Sequence, residues 1–117
     1  MKFTVSKKFN FEAAHSLPHL PIGHKCRSLH GHSYVVEIHV DGLLDERGFV
    51  IDYAEISSVV DPVIADLDHK NLNEIFPFST TAENLAQWLF QRISNDIPNL
   101  SAVHVYETAK TCVRVTK

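Results

Sequence analysis

The feature that most narrows the fold is an alternation at the start of the chain. Between residues 2 and 15 the odd positions Phe3, Val5, Phe9, Phe11 and Ala13 are apolar, with Lys7 the exception. The even positions Lys2, Thr4, Ser6, Lys8, Asn10 and Glu12 are polar. A period of two puts one set on each face of a strand, so one face rests on a core and the other meets water. His15 ends the apolar row. A second run, His32 to Val40, is rich in Val and Ile and reads as another strand. Residues 16–31 hold Pro18, Pro21, Gly23 and Gly31 without any period. A structureless loop of that length is usually functional.

Beyond Val40 the pattern changes. Asp41-Gly42 and Asp45–Gly48 read as a turn, and Gly48–Ile51 as a short strand or lead-in. Asp52 is placed to cap a helix, with Glu55 in capping-box position. Ile56, Val59, Val60, Val63, Ile64 and Leu67 follow at helical spacing, and Pro62 inside them should kink the helix or start a second. Residues 68–80 read as irregular. Thr80 or Thr81 then caps a helix whose apolar face is Leu85, Trp88, Leu89 and Ile93, ending before Pro98. Leu100–Thr108 and Cys112–Thr116 read as a closing strand pair joined near Ala109-Lys110. Strands and helices are segregated, which predicts an α+β fold with an antiparallel four-stranded sheet and two helices on one face.

No repeat or linker divides the 117 residues, so a single domain over 1–117 is expected. Open sheet edges at this size make a homo-oligomer an expected partner state. No apolar run reaches the roughly 18–20 residues of a membrane span, and the N-terminus has no apolar signal segment, so the expected compartment is cytoplasmic. The formal charge of −3 argues against a nucleic-acid partner. Two cysteines, Cys26 and Cys112, are too few for a disulfide scaffold.

Histidine carries the chemistry. Five of the eight lie between His15 and His32. In His30-Gly31-His32 the two imidazoles are two residues apart, so at a strand entry both point to one face. His15, ending the first strand, supplies a third if the two strands pair as neighbours. Three imidazoles suit Zn²⁺ and leave a fourth position for water or substrate, whereas Cys26 as a fourth ligand would make a closed structural site. His19, His24, His39 and His104 read as ordinary surface or core residues. Lys25 and Arg27 flank Cys26, and cations beside a thiol favour the thiolate, a nucleophile or base. Asp68-His69 offers a carboxylate that can orient an imidazole for acid/base work; a solvated Asp beside a helix-terminal His is the plain alternative. Glu107 continues the apolar face of Val103 and Val105, where a carboxylate needs a partner such as adjacent N–H donors of a ligand; a strand-end residue reaching water is the plain alternative.

Phe11-Glu12-Ala13-Ala14-His15, Cys26-Arg27-Ser28-Leu29-His30-Gly31-His32, Leu67-Asp68-His69, Thr81-Ala82-Glu83-Asn84-Leu85 and Tyr106-Glu107-Thr108 occur in that order. Together they resemble the 6-pyruvoyltetrahydropterin synthase superfamily over essentially the whole chain. The short Cys-x-x-x-His-Gly-His spacing is similar to its 6-carboxytetrahydropterin branch, which serves queuosine biosynthesis. The resemblance implies a two-layer T-fold whose trimers close into a barrel and pair as a hexamer, with sites between subunits. It implies one Zn²⁺ per subunit on His15, His30 and His32, a catalytic Cys26, and His69 with Asp68 and Glu107 as catalytic partners. Glu107 is also implied as the pterin anchor, and Thr81 as a further pterin contact. The implied reaction converts 7,8-dihydroneopterin triphosphate and water into 6-carboxytetrahydropterin, acetaldehyde and triphosphate. Lys25 and Arg27 are then expected to meet the triphosphate, since a chain of net charge −3 must gather cations locally to hold a polyanion. The alternatives are the pyruvoyl-forming synthase, another pterin side-chain enzyme such as an aldolase, and a noncatalytic zinc module.

Overall fold

The computed structural model describes residues 1–117. Five strands, β1 (Phe3–His15), β2 (His30–Gly42), β3 (Lys70–Asn71), β4 (Leu100–Thr108) and β5 (Thr111–Thr116), form one sheet in the order β3-β1-β2-β4-β5. The helices are α1 (Tyr53–Leu67), α2 (Leu72–Ile75) and α3 (Ala82–Ser94). β1 and β2 pair antiparallel over their whole length, from Phe3 opposite Gly42 to His15 opposite His30. Every other pairing is antiparallel except β3, which runs parallel to β1 at Ala13 and Ala14.

The alternation decides the layers. Phe9, Phe11 and Ala13 of β1, Tyr34, Val36, Ile38 and Val40 of β2, and Val103 and Val105 of β4 are buried on one sheet face. Ile56, Val60, Val63, Ile64 and Leu67 of α1, and Leu85, Ala86, Leu89, Phe90 and Ile93 of α3, join them in one core cluster. Full burial of each Leu or Ile contributes roughly 1.5–3 kcal/mol. No helix is long and apolar enough to cross a membrane.

Five expectations are corrected. The sheet has five strands, because Lys70-Asn71 adds a parallel edge, and α2 occupies part of the stretch that reads as irregular. Pro62 does not start a second helix, since α1 runs through it; it is exposed, so the carbonyl deprived of its N–H partner can be hydrated. Gly48–Ile51 forms no strand. The Asp45 carboxylate accepts the Arg47 and Phe49 N–H groups, and Gly48 turns through φ +85°. That turn tucks Val50 and Ile51 against the core. Asp52 does cap α1 through the Ala54 N–H, but Glu55 bonds Arg47 rather than closing a capping box. Thr81 is the α3 cap, accepting the Asn84 N–H.

Candidate metal centre and active site

The strand register delivers the site. His15 faces His30 directly across β1 and β2, and Ala13 faces His32. All three imidazoles therefore stand at one end of the core face, the row that Tyr34 and Val36 continue. Their ring centroids are 4.6, 5.1 and 4.9 Å apart, and the ring planes cross at 66–87°. One donor nitrogen from each lies within 4.8 Å of the others.

Two backbone carbonyls set the tautomers. His15 Nδ1 donates to Thr80 O at 2.8 Å, and His30 Nδ1 donates to Ser28 O at 2.7 Å. A carbonyl can only accept, so each Nδ1 carries its proton and each Nε2 keeps a lone pair. His15 is fully buried, and its Nε2 has no hydrogen-bond partner. Burial pushes the His15 pKa down, outweighing the Thr80 bond and the Glu107 charge. Burial lowers His32 as well. An orphaned buried nitrogen and carbonyl-anchored imidazoles fit a borderline divalent ion such as Zn²⁺.

Glu107 stands at the open side. Its Oε2 is 3.4 Å from His15 Nε2 and 3.5 Å from His32 Nε2. The carboxylate on the apolar β4 row thus faces the imidazole nitrogens across the gap an ion would fill, and it is positioned to complete an ion's shell or to turn toward a guest. Cys26 is not among the clustered donors, so this geometry gives no support to a closed Cys–His₃ site. The cysteine sits half-buried in a 3-10 turn, Lys25–Arg27, and its carbonyl accepts the Leu17 N–H, which ties the ends of the loop together beside His15. Arg27 donates one guanidinium nitrogen to Pro18 O and Leu20 O, so it braces that loop. Lys25 is exposed and makes no ion pair.

Asp68 and His69 flank the other side of β1. Asp68 Oδ1 accepts the Glu12 N–H at 2.8 Å, and Oδ2 is 3.0 Å from His69 Nδ1. The Glu12 N–H, then His69, hold the Asp68 carboxyl below the usual carboxylate range. His69 adopts φ +59°, a left-handed conformation costing about 1–3 kcal/mol for a residue with a Cβ. Its N–H donates to Glu12 O at 2.6 Å, which holds it there. An open cleft of about 510 Å³ lined by Glu12, Gly31, His32 and His69 brings His69 and the His32 edge of the metal cluster to one space. Gly31 is not required by crowding, since a Cβ there would make ordinary contact with Ala13 O at 3.6 Å.

Two residues escaped the reading of the sequence. Thr80 holds His15 through its carbonyl and, at 3.2 Å, its hydroxyl. Its signal was the Thr80-Thr81 doublet, in which only one residue can be the cap. Tyr34 continues the His30, His32 row and packs edge-on to His32 at 5.4 Å. Its buried hydroxyl has no partner, and burial drives the phenol well above its ordinary range.

A family model described as 6-pyruvoyl tetrahydropterin synthase matches residues 4–117. The chain is similar to the 6-carboxy-5,6,7,8-tetrahydropterin synthase of Synechocystis, 38% identical over 118 residues that cover 94% of this chain and 90% of that protein. It is also similar to the dihydroneopterin monophosphate aldolase of Pyrococcus furiosus, 37% identical over 98 residues, 84% of this chain and 81% of that one. Among solved structures, Caenorhabditis elegans 6-pyruvoyl tetrahydropterin synthase matches with a TM-score of 0.90 and 27% identity, covering 100% of this chain and 96% of the other.

Proposed function

The chain belongs to the 6-pyruvoyl tetrahydropterin synthase family, and from that premise we propose that it is a zinc-dependent carbon–carbon lyase of queuosine biosynthesis. Its substrate is 7,8-dihydroneopterin triphosphate, which with water gives 6-carboxytetrahydropterin, acetaldehyde and triphosphate. Residues 1–117 act as one synthase domain in the cytoplasm. The fold is the two-layer T-fold of the family's solved structures.

The observation that carries this reading is the convergence of His15, His30 and His32 with a carboxylate, rather than a thiol, on their open side. These imidazoles would hold one Zn²⁺ per subunit, and the bound ion supplies Lewis acidity toward the side-chain hydroxyl and carbonyl oxygens of the pterin. Glu107 accepts two N–H bonds from the aminopyrimidinone edge and so fixes the ring. Cys26 takes a proton from the pterin side chain. His69, oriented by Asp68, moves a proton on the other side of the same carbons. Thr81 adds a pterin contact at the start of α3. Lys25, unpaired, meets the triphosphate, and Arg27 contributes there whatever N–H capacity its loop bonds leave.

Trimers, pairing as hexamers, put the sites between subunits. Support comes from the edges: β5 ends the sheet, and β3 covers β1 only at Ala13 and Ala14. Both edges are free to pair with another copy.

The test is product analysis with dihydroneopterin triphosphate. Acetaldehyde and 6-carboxytetrahydropterin in equal amounts are expected; a 6-pyruvoyl product without acetaldehyde would assign the sibling synthase instead. A second reading, an aldolase acting on a dihydroneopterin monophosphate, is favoured by the Pyrococcus furiosus relative. Turnover of the monophosphate but not the triphosphate would establish it.

A further inference from the structure

The sheet face turned away from the helices carries a second cluster of metal-ligating side chains. Glu37 and His39 are two residues apart on β2, and β4 places His104 directly opposite Glu37. One donor atom from each lies within 4.8 Å of the others. His39 Nε2 is 3.1 Å from Glu37 Oε1. Two ligands of a tetrahedral ion must stand about 3.3 Å apart when each is about 2.0–2.1 Å from the metal, so this pair is already near ligand spacing. None of the three is freely exposed; the His39 and Glu37 side chains retain 21% and 14% of their accessibility.

The independent observation is an orphan. His104 Nε2 is shut off from solvent and has no hydrogen-bond partner, the condition that also marks His15 in the first cluster. Buried polar atoms are ordinarily paired. The two histidines in this chain whose nitrogens break the rule, His15 and His104, each belong to a three-donor cluster.

We propose that Glu37, His39 and His104 form a second site for a borderline divalent cation of the Zn²⁺ class. Two imidazoles and one carboxylate are a donor set for such ions. The His39 and His104 rings stack at 4.3 Å with planes 12° apart. Lone pairs lie in the ring planes, and two nearly parallel planes cannot both contain one ion, so capture of an ion turns one ring out of the stack. Lys8 pairs across from Glu37 and Arg114 across from His104, and both are exposed cations. Ring reorientation and that repulsion make this the weaker site, which fills after the triad.

The experiment is a zinc titration of the chelator-stripped full chain, read by equilibrium dialysis and metal analysis. Wild type should bind about two equivalents per chain in two affinity steps, and His104→Ala about one. His30→Ala should also bind about one, now only in the weaker step, which separates this site from the triad. Glu37→Gln keeps the side-chain shape and should weaken the second step at least about tenfold. A single step in wild type, or a second step unchanged in both His104→Ala and Glu37→Gln, overturns the proposal.

Discussion

One sheet carries two histidine clusters, on opposite faces, and they are organised differently. In the triad at the core-face end, rings stand nearly perpendicular, and two of the three have Nδ1 fixed by a backbone carbonyl. On the open face the two rings are parallel, and their single tie is the His39–Glu37 contact. Crossed ring planes can share one point, and two of the three tautomers are set before any ion arrives. Stacked rings must first rearrange. The difference teaches that ligand count alone does not make an open catalytic site; the outer contacts that fix ring direction do much of the work.

The largest effect should come from removing a triad ligand. His30→Ala should lower acetaldehyde release by at least about 10⁴-fold, because two ligands do not hold zinc in an open site. The open-face variant His104→Ala should leave the triad's zinc in place, and a comparable loss of triad metal there would erase the distinction between the clusters. Cys26→Ala comes next. Turnover should fall about 10²–10³-fold while the triad keeps its zinc; metal lost together with folding would make Cys26 a ligand. Glu107→Gln should lower kcat/KM roughly 10–100-fold and raise the Michaelis constant, since charge-assisted hydrogen bonds to the pterin are lost. Unchanged affinity would remove Glu107 as the anchor.

The clusters also share a pH signature. Folding lowers the pKa of His15, His32 and His104, in each case first through burial. The unfolded chain therefore binds more protons just below the ordinary value of 6.5. Stability of the metal-free protein is full above that pH and is lost as pH falls from it toward the lowered folded values. Melting temperatures measured from about pH 8 down to about pH 5 should decline below about 6.5; a flat profile would mean the rings are not held neutral. The smallest effect belongs to Thr80→Val. It deletes the 3.2 Å hydroxyl contact but keeps the carbonyl that accepts from His15. Zinc affinity should drop by no more than about tenfold.

The triad was legible because a strand's period of two is rigid. Once residues 2–15 alternate and His30 and His32 share parity, pairing of the strands leaves few places for the three rings to be. The two long helices, α1 and α3, were legible from spacing and caps. The irregular stretches were not. Asp45 shaping its own turn erased the expected strand at Gly48–Ile51, and a two-residue parallel edge at Lys70-Asn71 has no period to read. Thr80 was hidden because its contact with His15 spans 65 residues. His39 and His104 look ordinary one at a time; only the β2–β4 register puts them together.

The most direct test of the central claim is zinc-dependent turnover in a protein whose open-face cluster has been removed. Chelator-stripped His104→Ala should regain acetaldehyde release in proportion to added zinc, with a break at about one equivalent, and the same protein carrying His30→Ala should regain none. Turnover indifferent to zinc, or restored without His30, would contradict the assignment of His15, His30 and His32 as the catalytic metal centre.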